Sequence, residues 1–208
     1  LLCGGIDPTA EAGLTADMQH AARLGVRAYS IVTALTCQDA VTFTRLTAVA
    51  DTDLIEAVRA LRRQSPPQVA KIGLIASLHQ LRLLVREIRA LFPACRIVWD
   101  PILRTSSGAD LLPDTSRESL LEVAELVDVI LPNRYESHQL FGESTPGEWA
   151  KHTATAVIAK SAFCTEEDVT DRAYLPDSRL IESTAPRLGE DRHGTGCLYA
   201  TTLCAALA

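Results

Sequence analysis

The 208-residue sequence predicts an α/β fold in which helices flank a central, mostly parallel sheet. Apolar runs of strand length alternate with amphipathic runs of helix length, which is typical of strand–helix–strand units. Most of the strand-length runs are almost wholly apolar, as strands covered on both faces should be. Because ligands of such sheets bind beyond the carboxyl ends of the strands, polar residues that follow strands are the first candidates for a site.

In the first half of the chain, helices are predicted between strands. Leu14 and Met18 recur at helical spacing, and Gly25 follows as the cap of that helix. Pro66 ends the second helix and Pro93 the third, because proline cannot continue the hydrogen-bond ladder of a helix. The predicted strands are 1–5, 26–32, 69–75 and 95–99, and the predicted helices are 13–24, 51–63 and 79–91.

The second half continues the alternation and ends in a helix. Pro132 closes one apolar strand, and Lys160 follows the next. The predicted strands are 127–131 and 154–159, the helices are 114–126 and 195–208, and 173–175 with 180–183 form a predicted hairpin. The length of the chain favours one domain with its own core.

Composition and charge argue against several classes of partner. Hydrophobic residues make up 47% and charged residues 22% of the chain, and the formal net charge is -6. This acidic balance, without a basic run, argues against nucleic acid as the main partner. No apolar stretch reaches the roughly 18 residues of a membrane span. The cysteines do not form a C-x-x-C pair, so the sequence does not suggest a zinc or redox motif. We therefore expect a cytoplasmic protein with reduced cysteines, no nucleic acid partner and no membrane association.

The strongest local motif is a glycine-rich turn at the start of the last predicted helix. Gly194 and Gly196 flank Thr195, and Cys197 falls in the first helical turn. Backbone N–H groups there have no partner within the helix, so they form a pocket that suits the charge of a transferred phosphoryl group. The helix dipole favours a thiolate at Cys197, which can accept a proton from a substrate hydroxyl. The alternative is a plain helix cap with Cys197 packed inside.

Two weaker features are oxygen and ammonium groups that follow predicted strands. Asn133 and Glu136 are three residues apart at a helix start, so both can face one magnesium ion bound to phosphates. The alternative is a capping box with Asn133 as the N-cap. Lys160 can reach a phosphate as a point charge, or it is an ordinary solvated lysine. The loop of residues 4–13 is a plain small-residue turn on its own, since neither G-x-x-x-x-G-K-[ST] nor G-x-G-x-x-G occurs.

A collinear set of motifs covers nearly the whole chain. The segments and the patterns that they follow are 4–17 (G-x-D-P/S-x-G-G-A-G-I-Q-A-D), 33–39 (T-A-L-T-A-Q-N), 71–75 (K-I-G-M-L), 98–102 (V-x-D-P-V), 132–136 (P-N-x-x-E) and 193–197 (H-G-T-G-C). This set resembles the hydroxymethylpyrimidine/phosphomethylpyrimidine kinases of the ribokinase-like superfamily. The resemblance implies the three-layer sandwich of that superfamily.

The resemblance also implies roles for particular residues. Gln38 would hydrogen-bond a pyrimidine ring, Asp17 would contact its amino edge, and Cys197 would act on the hydroxymethyl or phosphate oxygen of the acceptor. The implied substrate contacts are Gly5, Asp7, Ala12, Gly13, Asp17, Gln38, Leu74 and Ile102. The implied catalytic residues are Gly194, Thr195, Gly196 and Cys197; Lys160, Asn133 and Thr195 would bind nucleotide, and Asp100, Asn133 and Glu136 would hold magnesium.

The activity that the resemblance implies is phosphorylation of 4-amino-5-hydroxymethyl-2-methylpyrimidine or its monophosphate in thiamine biosynthesis, with ATP and Mg²⁺. A pyridoxal or pyridoxine kinase is one alternative. A non-catalytic module that binds the pyrimidine is another, and two departures from the family motivate it. Residues 160–163 read K-S-A-F in place of K-G-G-H, and Glu11 adds negative charge to the opening loop. We further expect residues 1–208 to be a single kinase domain without the family's C-terminal helices, and a possible homodimer.

Overall fold

The structure is a computed structural model that describes residues 1–38, 42–105, 108–112, 115–188 and 194–208. Within these ranges, strands and helices alternate along the chain. The strands are β1 (Leu2–Ile6), β2 (Ser30–Gln38), β3 (Phe43–Ala48), β4 (Val69–Ile72), β5 (Arg96–Trp99), β6 (Val129–Ile130), β7 (Ala156–Cys164), β8 (Asp168–Tyr174) and β9 (Leu180–Pro186). The helices are α1 (Gly13–Arg23), α2 (Asp51–Ala60), α3 (Leu78–Leu91), α4 (Arg117–Ala124), α5 (Arg134–Phe141), α6 (Pro146–His152) and α7 (Thr195–Leu207), and a short 3₁₀ turn covers Leu61–Arg63.

The strands of the described ranges join one sheet in the order β3-β2-β1-β4-β5-β6-β7-β8-β9. Every pairing between β2 and β7 is parallel. Strand β3 at one edge and strands β8 and β9 at the other pair antiparallel. The predicted mostly parallel sheet is confirmed, and the carboxyl ends of its parallel strands lie along one edge.

Alternate residues of the central strands face two separate apolar layers. On β5, Ile97 and Trp99 belong to the core that packs under helices α2 to α6. The residue between them, Val98, lies with Ala200 and Cys204 of α7 on the opposite face. Helix α1 packs beside α7 on that second face. The result is the predicted three-layer arrangement, with helices on both sides of the sheet.

The placement of β2 differs from the prediction of 26–32, which is wrong by about half a strand. The chain leaves α1 through a tight turn in which the Val26 N–H bonds the Ala21 carbonyl, so residues 26–29 connect the helix to the sheet. The strand itself runs on through Thr33 and Thr36, whose hydroxyls bond the carbonyls of Leu74 and Ile6. This extension brings Gln38 to the strand's carboxyl end and allows β3, which was not predicted, to pair with it.

Two other predicted boundaries differ from those in the structure. The predicted helix 114–126 is shorter, as α4 begins after the Ser116 side chain caps it and ends at Ala124. Lys160 lies inside β7 and not at its end, because the strand continues to Cys164 past an irregularity. In the part of the chain that the structure describes, every helix is too short or too polar to span a bilayer.

Candidate active site

A cavity of about 160 Å³ lies at the carboxyl ends of β1, β2, β4 and β5. It is smaller than the roughly 300–1,000 Å³ of pockets for drug-sized ligands, so it suits a single small ring. Leu74 and Ile102 contribute apolar surface to its walls, and Gln38 contributes an amide. The predicted substrate contacts that line it are Gly5, Asp7, Ala12, Gly13, Gln38, Leu74 and Ile102.

The loop between β1 and α1 is shaped by Asp7. Its buried carboxylate accepts hydrogen bonds from the Thr9 N–H at 2.9 Å, the Thr9 hydroxyl at 2.8 Å and the Ala12 N–H at 3.1 Å. Gly13 follows with a φ of 64°, and a side chain there would collide with the carbonyl oxygen of Gly5. Asp7 and Gly13 therefore hold the turn that brings the start of α1 to the cavity.

Helix α7 also starts at this cavity, which Gly194, Gly196 and Cys197 line. Gly194 has a φ of 82°, and a Cβ there would run into the carbonyl oxygen of Glu11, so glycine allows α7 to approach the loop after β1. Among the described residues, the helices without a side-chain cap are α1, α2 and α7, and of these α1 and α7 start at the cavity. The first turn of α7 therefore lies at the cavity, and its role as a pocket that binds an anion stays a prediction.

Cys197 lines the cavity, but its thiol is not the ready thiolate that its place in the helix predicts. Burial raises the pKa of Cys197 above its ordinary value, and Asp100 and Asp17 act in the same direction. The Lys71 ammonium and a hydrogen bond from the Gly13 N–H oppose this shift without reversing it. Desolvation outweighs the helix dipole here, so the thiol is protonated near neutral pH.

A cluster of charged side chains closes the floor of the cavity. Lys160 Nζ lies 2.5 Å from Asp100 Oδ1, and both side chains are buried. The other carboxylate oxygen, Asp100 Oδ2, is buried without a hydrogen-bond partner among the described residues. Burial opposes the charge of Lys160, yet Asp100 and Glu136 together raise its pKa. The cluster therefore holds a permanent cation beside a buried carboxylate oxygen whose hydrogen-bonding capacity the described residues leave unused.

Asn133 and Glu136 form the capping box that was the alternative to a metal pair. The Glu136 N–H donates to Asn133 Oδ1 at 2.9 Å, and the Asn133 N–H donates to Glu136 Oε2 at 2.8 Å. Burial raises the pKa of Glu136 to about 7, although Lys160 lowers it. The Asn133 side-chain oxygen is used by the helix, which leaves Asp100 and Glu136 as the oxygen groups nearest the cavity floor.

A second, larger groove of about 620 Å³ adjoins the cavity and shares Asn133, Lys160 and Gly196 with it. Of the two spaces, Thr195 lines only the groove, and its role as a nucleotide contact stays a prediction. Because the two spaces meet at Lys160 and the first turn of α7, a group bound at that point is within reach of both.

The chain bends sharply after Lys160, where Ser161 stands in place of a glycine of the family pattern. Ser161 has a φ of 49°, a left-handed conformation that favours glycine. Its N–H donates to Asp171 Oδ1 at 2.7 Å, which holds the bend in place. Asp171 also bonds the Tyr199 hydroxyl; burial first, and then this carboxylate, raises the pKa of Tyr199 to about 12. The bend at Ser161 is thus retained by a side-chain contact.

Asp17 does not contact the cavity, and the expectation that it reaches a ring substrate is not supported. It is 2% exposed and forms an ion pair with Lys71, whose Nζ lies 2.6 Å from both carboxylate oxygens. Lys71 was not predicted to have a role. The signal that marks it is a single lysine inside the apolar run of 69–75, which predicts either a strand end or a buried, paired charge. His193, the first residue of the predicted glycine-rich motif, lies outside the described residues.

Solved structures identify the class of fold to which this arrangement belongs. The chain superposes on a phosphomethylpyrimidine kinase from Clostridium difficile 630 with a TM-score of 0.77 and 19% identity, over 99% of this chain and 89% of that one. It superposes on the pyridoxal kinase from Staphylococcus aureus, in complex with AMP-PCP and pyridoxal, with a TM-score of 0.79 and 20% identity, over 99% and 78% of the two chains. The fold is that of ribokinase-like kinases.

The family follows from the sequence match. A model of the family described as phosphomethylpyrimidine kinase matches residues 7–208, and the chain belongs to that family. It is 30% identical to the thiamine biosynthesis multifunctional protein ThiED of Corynebacterium efficiens, covering 100% of this chain but 29% of that protein. It is 27% identical to a hydroxymethylpyrimidine/phosphomethylpyrimidine kinase of Rhizobium meliloti, covering 100% and 82%.

Proposed function

We propose that this chain transfers the terminal phosphoryl group of ATP to 4-amino-5-hydroxymethyl-2-methylpyrimidine or to its monophosphate. The observation that carries the proposal is that the cavity and the groove meet at the start of helix α7. A ring-sized cavity and a larger groove share Asn133, Lys160 and Gly196, so an acceptor and a nucleotide can meet at the first turn of α7. Family membership and the names of the relatives support the pyrimidine as acceptor.

The ring cavity supplies one polar and two apolar contacts of the kind that a pyrimidine needs. Gln38 lines the cavity and would pair with ring nitrogen and amino groups, because its amide both donates and accepts. Leu74 and Ile102, which also line it, would cover the faces of the ring. Gly5 is part of this fit, since a Cβ at that position would clash with the Leu74 side chain and push it into the cavity. The acceptor oxygen would then point at Cys197.

The nucleotide is assigned to the second groove. The pyridoxal kinase of similar fold was solved with AMP-PCP, an ATP analogue, which supports ATP as the donor here. Lys160 would contact the phosphates as a point charge, and Thr195 would contact them from the start of α7. The bend at Ser161, which the Asp171 carboxylate holds, favours an intact groove and argues against the non-catalytic alternative.

Magnesium fits this site as an ion that arrives with the nucleotide. The described residues include no group of three or more His, Cys, Asp or Glu side chains that would hold a metal ion alone. Asp100 Oδ2 is a buried carboxylate oxygen with no partner among those residues, and Glu136 is close enough to interact with it. The Asp100 and Glu136 carboxylates would hold such an ion, and it would supply positive charge to the nucleotide phosphates.

The chemical step is an in-line displacement. The acceptor oxygen forms a bond to the γ-phosphorus while the bond to the bridging oxygen breaks, and ADP leaves. Because Cys197 is protonated, its thiol would orient the acceptor oxygen by a hydrogen bond. A hydroxyl acceptor would lose its proton late, after the loose transition state, to an oxygen of the transferred phosphoryl group. Lys160 and the N–H groups of α7 would stabilise the negative charge on the transferred group.

The proposal is tested by ADP formation from ATP and Mg²⁺ with the purified protein. Hydroxymethylpyrimidine, its monophosphate and pyridoxal are supplied in parallel, and the products are identified by mass. We expect turnover with the pyrimidines and a product heavier by one phosphoryl group. Turnover with pyridoxal alone would assign the chain to the B6 kinases instead. Pyrimidine binding without turnover by any nucleotide would contradict the kinase proposal.

A further inference from the structure

Lys71 is a fully buried charge beneath the start of α7. Its side chain has 0% exposure. Its Nζ lies 2.6 Å from both oxygens of Asp17 on α1, 3.1 Å from the backbone carbonyl of Cys197 and 3.4 Å from the Thr201 hydroxyl. Thr201 in turn donates to Asp17 Oδ1 at 2.7 Å. One ammonium group on β4 thus ties together α1 and the first two turns of α7.

This network is costly if it serves stability alone. Burying two charges carries a desolvation penalty of several kcal/mol per ion, and well-packed apolar side chains of similar volume are often as stable or more stable. Burial opposes the charge of Lys71, yet Cys197, Asp17 and Asp100 together raise its pKa, so the ammonium stays charged. A permanent positive charge is therefore kept a few ångströms behind the surface where α7 meets the cavity.

The charged groups that face Cys197 come from every element around it. Lys71 from β4 favours its thiolate, as does the N–H of Gly13, whereas Asp17 from α1 and Asp100 after β5 oppose it. Lys160 from β7 also interacts with it. Of the two lysines, Lys71 contacts the backbone of Cys197 directly. Loss of the Lys71 charge changes both the position of this turn and the field in it.

We propose that Lys71 is a positioning residue for phosphoryl transfer: through the Cys197 carbonyl it fixes the first turn of α7, and it places a positive charge behind the anion pocket. The inference rests on the proposed function and extends it to a residue that does not touch the substrate. Negative charge that develops at the start of α7 is stabilised most by groups that are already oriented in a site of low dielectric. Asp17 partly offsets this charge in the resting protein.

The test compares two variants with opposite expected effects. Lys71→Met with Asp17→Asn removes both charges and leaves no unpaired ion. Asp17→Asn alone keeps the ammonium and removes its counter-charge. The first readout is the rate of Cys197 alkylation by iodoacetamide at pH 8, measured on the Cys197 peptide by mass spectrometry, so that the other cysteines do not interfere. This readout does not depend on kinase activity.

We expect alkylation of Cys197 to slow about threefold in the double variant, because Lys71 lowers the pKa of Cys197 by more than Asp17 raises it and removing both leaves a net rise of about half a pKa unit. In Asp17→Asn alkylation should become several-fold faster, because the carboxylate no longer offsets the field of Lys71. A merely structural pair predicts no such reversal. The second readout is kinetic: the double variant should lose about tenfold or more in kcat and change KM for the pyrimidine less than twofold.

A matched control is the Arg89–Asp128 pair, which joins α3 to the amino end of β6, away from the cavity. Arg89→Met with Asp128→Asn should leave both readouts within twofold of wild type. The inference is overturned if the Lys71/Asp17 double variant is folded and alkylates Cys197 within twofold of the wild-type rate, or if Asp17→Asn slows the reaction. If wild type shows no pyrimidine turnover, the proposed function fails, and alkylation alone decides the inference about Lys71.

Discussion

Two buried lysine–carboxylate pairs lie at the carboxyl edge of the same sheet, and they differ in what surrounds them. Lys71 is hydrogen-bonded on all sides, by Asp17, by a backbone carbonyl and by the Thr201 hydroxyl. Lys160 lines both the ring cavity and the neighbouring groove, and its partner Asp100 keeps one oxygen without a hydrogen bond among the described residues. The first pair is closed to ligands, and the second is open to them.

The partners of a buried lysine indicate its role more clearly than its burial does. Both side chains are buried, with Lys71 at 0% and Lys160 at 8% exposure. A closed pair has its charges satisfied by the protein, so it can position neighbouring elements but cannot bind a substrate. An open pair leaves binding capacity unused, so it is the one to expect in contact with phosphate and metal. The predictions below separate these two roles.

The largest effect on stability is expected from breaking the closed pair. Lys71→Met leaves the Asp17 carboxylate buried without a cation, and we expect the free energy of unfolding to fall by about 3–5 kcal/mol. Lys160→Met should cost less than half as much, because Asp100 can gain water from the cavity. Urea denaturation of both variants measures the two losses. Equal losses would show that the second pair is as closed as the first.

The largest effect on activity is expected from the open pair. Lys160→Met should lower kcat about 10²–10³-fold, as the loss of one oriented charge in a transfer site does. The matched control is Lys151→Met, which removes an exposed lysine paired with Glu148 on α6. That control should keep kcat within twofold. Steady-state kinetics with the pyrimidine acceptor measure both, and a Lys160 variant as active as the control would remove Lys160 from the mechanism.

Glu136 interacts with the Lys160–Asp100 pair, and its pKa predicts a pH dependence of stability. Its pKa is about 7 in the folded protein, raised from the ordinary value of 4.5 mainly by burial. The folded state thus keeps a proton that the unfolded chain loses, so stability falls as pH rises from about 4.5 to 7 and is level above that. The loss is about 3 kcal/mol, from roughly 1.4 kcal/mol for each pKa unit.

The variant Glu136→Gln isolates this contribution. Chemical denaturation at several pH values should show a flatter profile for Glu136→Gln than for wild type between pH 4.5 and 7. Gln139→Ala, which changes an exposed residue of the same helix without a titratable group, offers a control. It should keep the slope of wild type in this window. Parallel profiles for wild type and Glu136→Gln would place the proton elsewhere.

The smallest effect is expected at the bend after Lys160. Ser161→Gly removes the cost of a left-handed conformation and should raise the free energy of unfolding by about 1 kcal/mol. Ala162→Gly, one residue on and without a positive φ, should instead lower it by about 0.5–1 kcal/mol. Thermal melts of the two variants check the signs. A loss of stability in Ser161→Gly would mean that the Asp171 contact does more than hold the bend.

Sequence patterns predicted most of the sheet, because its apolar runs are strongly periodic and glycine and proline mark their ends. They also predicted which loops carry the cavity, since Gly5, Gln38 and Leu74 each follow or end a parallel strand. They missed β3 and placed β2 too early in the sequence. Strand β3 lies at an edge of the sheet, pairs with β2 alone and carries no buried residues, so no buried apolar run marks it.

The chemistry of single residues was less predictable. The spacing of Asn133 and Glu136 suits both a metal pair and a capping box, and only the hydrogen bonds distinguish them. The helix start predicted a thiolate at Cys197, but burial by distant parts of the chain reversed the shift of its pKa. Asp17 and Lys71 are far apart in the sequence, so their ion pair depends on how α1 lies against β4.

The central claim is that the open pair at Lys160 serves transfer between the two joined spaces. The most direct measurement follows the γ-phosphoryl group of labelled ATP into 4-amino-5-hydroxymethyl-2-methylpyrimidine, with wild type and Lys160→Met compared at equal folded fraction. We predict a labelled pyrimidine phosphate from wild type and a rate about 10²–10³-fold lower from the variant. Transfer by the variant at the wild-type rate, or no transfer by a wild-type protein that binds the pyrimidine, would contradict the account.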